Sequence, residues 1–268
     1  MSPDLFSGLP GTHPLDSLPM GVIYVVAVSL LLLAAEGGYR LSKIMQRRAP
    51  DKAESVVGAL NGATLALLAF LLAFVTGIAV NSFSARRLAT VAEANAIGTT
   101  YLRAGYLPDP YGVESRELLR EYVDKRLEAL KLTQIRQAVV RSEAIHQELW
   151  TRAETLAKEI PSPTLALYIS SLNQVIDLHT ERINVELVAR VPWVIVLGLF
   201  LIAMVALCIV GLHAGYAAGL NRVALGALVM VLSVVFLLIV DLGRGQQGLL
   251  TVSQQALIDL QRQFNAAP

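Results

Sequence analysis

The chain has 268 residues, 54% of them hydrophobic and 16% charged, with a net charge of +1 and a mean hydropathy of +0.56. A soluble domain carries about 25% charged residues, so this composition excludes an ordinary soluble globule and points to an integral membrane protein with a sizeable polar part. The small net charge argues against a nucleic-acid partner, and the single cysteine, Cys208, permits no intrachain disulfide.

Residues 1–19 contain no Lys or Arg and so lack the basic start of a signal peptide; Met20–Tyr39 is expected to be a retained helix. It is the first of four apolar segments, with Ser55–Val80, Val191–His213 and Val223–Val240. Each reaches or approaches the roughly 20 residues that cross a bilayer core. The expected fold is all-α: a transmembrane hairpin (20–80), an extramembrane helical bundle (81–190) continuous with it, a second hairpin (191–241) and a tail (242–268). Arg40, Lys43, Arg47, Arg48 and Lys52 crowd the first short loop, and Arg222 lies in the second. Short loops dominate the positive-inside rule, which places them in the cytoplasm of a bacterial inner membrane and puts the termini and residues 81–190 outside.

The second span carries Ser55, Gly58, Gly62, Ala66, Ala69, Ala73 and Gly77 at spacings of three and four. Such a small-residue stripe lets helices approach closely, within or between subunits, or lines a narrow pore. Asn61 and Thr76, with Asn81 just beyond, are polar candidates for an ion path. Arg86 and Arg87 would attract anions at its mouth. Gly211, Gly215 and Gly219 repeat the small-residue motif later in the chain. Glu36 and Asp241 lie near span ends, where pairing with Arg40 and Arg244 competes with a functional reading.

No proline separates the second span from "RRLATVAEANAIGTTYLR" (Arg86–Arg103). One helix from about Ser55 to Gly105 is therefore expected, roughly 75 Å long at 1.5 Å per residue. Leu88, Val91, Asn95, Gly98 and Leu102 share one stripe, with Arg86, Glu93, Ile97 and Thr100 opposite. A helix with so little charge on any side reads as buried all round. Buried Glu93 then needs a cationic partner, with Arg86, Arg103 and Arg182 the candidates; the alternative is an acid in a permeation or proton path. Asn95 and Asp177 complete the expected polar network. Prolines at 108, 110, 161 and 163 divide the remainder into three further helices.

Four scattered histidines, with only Asp177 and His179 near each other, do not make a metal set. There is no phosphate loop or nucleophile elbow. Neither a cofactor nor an enzyme is expected.

"SARRLATVAEANAIGTTYLRAGYLPDP" (84–110), "LLREYVDKRLEAL" (118–130), "LNQVIDLHTER" (172–182) and "VDLGRGQQGLLTVSQQALIDL" (240–260) resemble the signature blocks of a family of bacterial four-span membrane proteins labelled bestrophin-like. That family's pattern usually has Asp-Arg-Pro after the fourth span, where Gly243-Arg244-Gly245 stands here. The resemblance implies a helical, oligomeric membrane protein and carries the label of anion channels. It also implies termini and middle domain in the cytoplasm, the reverse of the loop-charge reading. The leading expectation is a homo-oligomeric ion channel or channel-like protein in contact with lipid; the alternative is a non-conducting scaffold or sensor whose helical domain binds a partner.

Overall fold

Eight α-helices and no strands occur among the residues described by the computed structural model, which are 18–46, 53–128, 135–187, 191–217, 221–244 and 248–266. The helices are α1 (Met20–Gln46), α2 (Ala53–Ala104), α3 (Tyr111–Glu128), α4 (Ile135–Glu159), α5 (Pro163–Leu187), α6 (Trp193–Tyr216), α7 (Arg222–Gly243) and α8 (Gln255–Ala266). Four of them, α1, α2, α6 and α7, are long and apolar enough to cross a membrane. Expectations resting on residues 1–17, Arg47, Arg48, Lys52, Leu130, Arg190 and Gly219 fall outside the described residues.

The contacts divide the chain into two units: Met1–Phe83 with Arg190–Thr251, and Ser84–Ala189 with Val252–Pro268. In the first unit, α1 and α6 run parallel and lie unusually close. A Cβ added at Gly38 would overlap the Cys208 carbonyl, and one at Gly211 would overlap the Ala35 carbonyl. One at Gly215 would strike the Ser42 hydroxyl. Where no water competes and no hydrophobic force drives helices together, such close backbone approach supplies the dispersion contact that holds them. The Gly211–Gly215 pair thus finds its partner on α1.

The small-residue stripe of α2 is placed differently. Leu68, Leu72, Val75 and Ala79 form the face that α2 buries within the chain. Gly62, Ala66, Ala69, Ala73 and Gly77 turn outward, and Gly58 is half-buried beside the His213 ring. Close packing of this stripe within the subunit is therefore not what the structure contains. The larger side chains win the interior because they fill more of the space between helices that are not in backbone contact.

In the second unit, the core runs from Ala94, Ile97 and Tyr101 of α2 through Leu119 and Tyr122 of α3 to Ile145 and Leu149 of α4 and Leu172 and Val175 of α5. Leu257, Leu260 and Phe264 of α8 join it, with Phe264 stacked on Tyr101 at 3.9 Å between ring centroids. The C-terminal tail (242–268) thus contributes α8 to this core. Its heptad-like apolar spacing of three and four had too short a run to read as a core element.

Residues 88–102 are not buried all round. Ala89, Thr90, Glu93, Ala94, Ala96, Ile97 and Thr100 face the core, while Leu88 and Leu102 are each 69% exposed and Val91 and Asn95 are also exposed. The apolar stripe faces out and the smaller, more polar side faces in. Alanines and threonines let α3 and α5 come near enough to reach Glu93, which larger side chains would prevent.

Candidate functional site: a buried charged cluster and an open helix stripe

Glu93 is fully buried and sits where α2, α3 and α5 meet. Tyr122 and Arg126, one turn apart on α3, point to it together, as i and i+4 positions do. His179 and Arg182, three apart on α5, do the same from the other side. Arg182 Nη1 lies 2.6 Å from Glu93 Oε2, and Arg126 Nε lies 3.3 Å from Oε1. The Tyr122 hydroxyl donates to Oε1 at 2.6 Å. Arg182 also donates through Nε to Glu186 Oε1 at 2.9 Å and through Nη2 to Gln254 Oε1 at 3.2 Å. One guanidinium therefore ties α2 and α5 to the segment that precedes α8.

Tyr122 has a single proton, and Glu93 takes it. The 2.9 Å contact between the Tyr122 oxygen and His179 Nδ1 must then be donated by the imidazole Nδ1–H. The His146 ring packs at 4.7 Å from Tyr122 and edge-on to His179 at 4.9 Å. Burial pushes the His146 pKa down to about 3, and the adjacent His179 acts in the same direction. His146 is accordingly neutral around pH 7.

Burial alone would raise the Glu93 pKa, but Arg126 and Arg182, helped by the hydrogen bond from Tyr122 and by the nearby His179 ring, outweigh it and hold the carboxyl well below the usual range. Burial and the Glu93 charge push the Tyr122 hydroxyl up, so it stays protonated and keeps donating. A carboxylate paired with two buried guanidinium groups favours the ionised form. Its chemistry is that of a structural anchor: one anion at the junction of three helices, its lone pairs taken by charged and neutral donors.

Of the residues expected in this network, Glu93 and Arg182 meet. Arg103 instead donates to the Leu167 carbonyl at 2.8 Å. Asp177 is exposed and accepts from Asn173 at 2.8 Å; two residues from His179, it points to another side of α5. Asn95 is exposed on α2. Arg126, Tyr122, His146 and His179 complete the cluster beyond the expected residues, and the i, i+4 spacing of Tyr122 and Arg126 is the signal in the sequence that points to them.

Of the ion-path candidates, Asn61 and Thr76 are half-buried, and Asn81 and Arg87 are exposed. Arg86 is 2% exposed and so is no mouth charge on this chain; its neighbour Arg87 holds the outward position. Near the span ends, Glu36 accepts from Arg40 Nε at 3.0 Å. The Asp241 carboxylate accepts from the backbone N–H groups of Leu249 and Leu250 at 2.6 and 2.8 Å, which ties those two residues to the end of α7.

The outward face of α2 is continuous. Gly62, Ala66, Ala69, Ala73, Gly77, Val80, Ser84, Leu88, Val91, Asn95, Thr99 and Leu102 are all exposed, follow each other at steps of four, three and four, and include no charge. Each position recurs eleven residues on. An 11-residue repeat corresponds to about 3.67 residues per turn, close enough to the helix that the stripe barely winds.

A family model described as the bestrophin-like domain matches residues 26–257. The chain belongs to the bestrophin-like family. Comparison with curated proteins and with solved structures found no match. In this bestrophin-like chain the match takes in α1 from residue 26, the three other candidate membrane helices, and both the Glu93 cluster and the α2 stripe.

Proposed function

We propose that this protein is a homo-oligomeric membrane ion channel or channel-like protein in which α2 of each subunit lines the symmetry axis. The observation that carries the reading is the uncharged outward stripe of α2. Copies inserted in one membrane share one orientation, so their α2 helices run parallel and present identical stripes to one another. The stripe runs over 41 residues, from Gly62 to Leu102, roughly 60 Å of helix at 1.5 Å per residue. With a width near 10 Å, that is about 600 Å² per subunit, the scale of a specific interface at about 800 Å² a side. Gly and Ala in its membrane part allow close approach or a narrow path. Ser84, Asn95 and Thr99 offer hydroxyl and amide groups farther along.

In this reading the two hairpins flank an inserted bundle, and Arg87 lies just beyond the membrane part of the stripe, where it favours anions. The loop charges favour a bundle and termini outside the cytoplasm of a bacterial inner membrane; the family name favours the reverse. The chain acts without catalysis. Protein reconstituted in liposomes should pass ions, and Arg87→Glu should shift selectivity toward cations. Liposomes tight to both anions and cations would overturn the channel reading.

The alternative, a non-conducting scaffold, draws on the same stripe. Leu88, Val91 and Leu102 are apolar, and rings of such side chains around an axis exclude water. Oligomers without flux would favour it.

A further inference from the structure

Between α1, α6 and α7 the membrane unit holds a cavity of about 240 Å³. Its walls come from residues 18–27, 193–200 and 233–240. These are the N-terminal ends of α1 and α6 and the C-terminal end of α7, which meet at one face of the membrane. Leu18, Trp193 and Val240 stand at that face, and Ala27, Phe200 and Ser233 lie deeper. Tyr24 turns its hydroxyl away to Met230 Sδ at 3.0 Å.

We propose that this cavity is a binding site for one acyl chain of a bilayer phospholipid. The depth matches. Eight to ten residues of each helix span ~12–15 Å at 1.5 Å per residue, which is one leaflet of a hydrocarbon core about 30 Å thick. The volume matches a segment of about eight methylenes, if each fills roughly the 30 Å³ of a water molecule. Water itself is a poor occupant, because it needs two to four polar partners and the walls are almost wholly apolar. A helix from a second copy, about 10–12 Å across with its side chains, is too broad to enter. Trp193, 46% exposed, sits where indoles mark the membrane interface and fits the glycerol end of such a lipid.

The test uses the full chain in nanodiscs of phosphatidylcholine carrying a photoreactive diazirine midway along one acyl chain. After irradiation, mass spectrometry should find adducts concentrated several-fold on residues 18–27, 193–200 and 233–240, relative to the equally lipid-facing Leu201 and Val205 of α6. Ala27→Phe, which fills the cavity from its floor, should remove most of that excess. Leu197→Trp, which narrows it from an already exposed position, should do the same if the first variant folds poorly. Adducts spread in proportion to exposure would overturn the site, as would labelling that both variants leave unchanged. Protection of these segments from the lipid label, with crosslinks to a second copy in its place, would overturn it too.

Discussion

Glu93→Gln removes the one anion that faces two buried guanidinium groups. Arg126 and Arg182 are each 2% exposed, so neither can turn to water to recover the lost charge. Arg182 keeps Glu186 and Gln254, whereas Arg126 loses the ion pair at 3.3 Å. Breaking a buried pair by removing one partner costs about 3–5 kcal/mol. At about 4 °C per kcal/mol for a unit of about 120 residues, the midpoint should fall by roughly 12–20 °C. The chain has two tryptophans; Trp150 lies on α4 and Trp193 on α6. In a Trp193→Phe background, fluorescence-detected melting at a fixed scan rate therefore follows the second unit alone. Glu186→Gln is the control. Its carboxylate side chain is 31% exposed, so its removal should cost under about 1 kcal/mol. A Glu93→Gln midpoint no lower than that of Glu186→Gln would refute the view that Glu93 anchors this unit.

Acid should weaken the second unit in two stages. The folded pKa of His146 is depressed from 6.5 to about 3, so between those values the unfolded chain binds the extra proton and stability falls as pH falls. His146→Phe should flatten the melting midpoint against pH from 6.5 to 4.5, and an unchanged slope would count against a buried neutral His146. Glu93, depressed from 4.5, contributes stability that is present above pH 4.5 and lost below it, so Glu93→Gln should flatten the profile only there. Gly211→Val should cost more than the 1–3 kcal/mol typical of overpacking, because its side chain meets the backbone of α1. Gly62→Val, with open space around it, should leave the yield of folded chain unchanged but alter the oligomer mass measured by light scattering. Leu102→Asp should likewise reduce oligomer mass without lowering the melting midpoint, and an unaltered mass would place the subunit interface elsewhere.

Much of this architecture is legible in the amino-acid order because it depends on local rules. Spans show as runs of apolar residues, and the 52-residue α2 shows as a long stretch without proline. Glu93 stands out as a lone acid in a stretch with almost no charge, which made a buried partner necessary. Arg182 on α5 is among the partners the sequence offers, whereas Tyr122 and Arg126 on α3 and His179 on α5 are harder to read. Arg126 lies among Asp124, Lys125 and Glu128, where a charge ordinarily means a solvated face, and only the third dimension separates it from its neighbours. The direction of the α2 stripe was also hidden. Low charge on every side is compatible with burial all round, and whether alanine or leucine turns inward depends on how near the other helices come. The α1–α6 contact needed both halves of the chain, since Gly38 has no meaning until Gly211 lies against its turn.

The central claim concerns α2 at an axis that ions can pass. It is tested most directly by ion flux through liposomes containing Asn95→Cys in a Cys208→Ser background, before and after a charged, membrane-impermeant thiol reagent. With the stripe lining a conducting path, flux is present at first and falls on labelling, while the same reagent on Val113→Cys, exposed on α3, leaves it unchanged. Liposomes that are ion-tight from the outset, or flux indifferent to modification at Asn95→Cys, would contradict it.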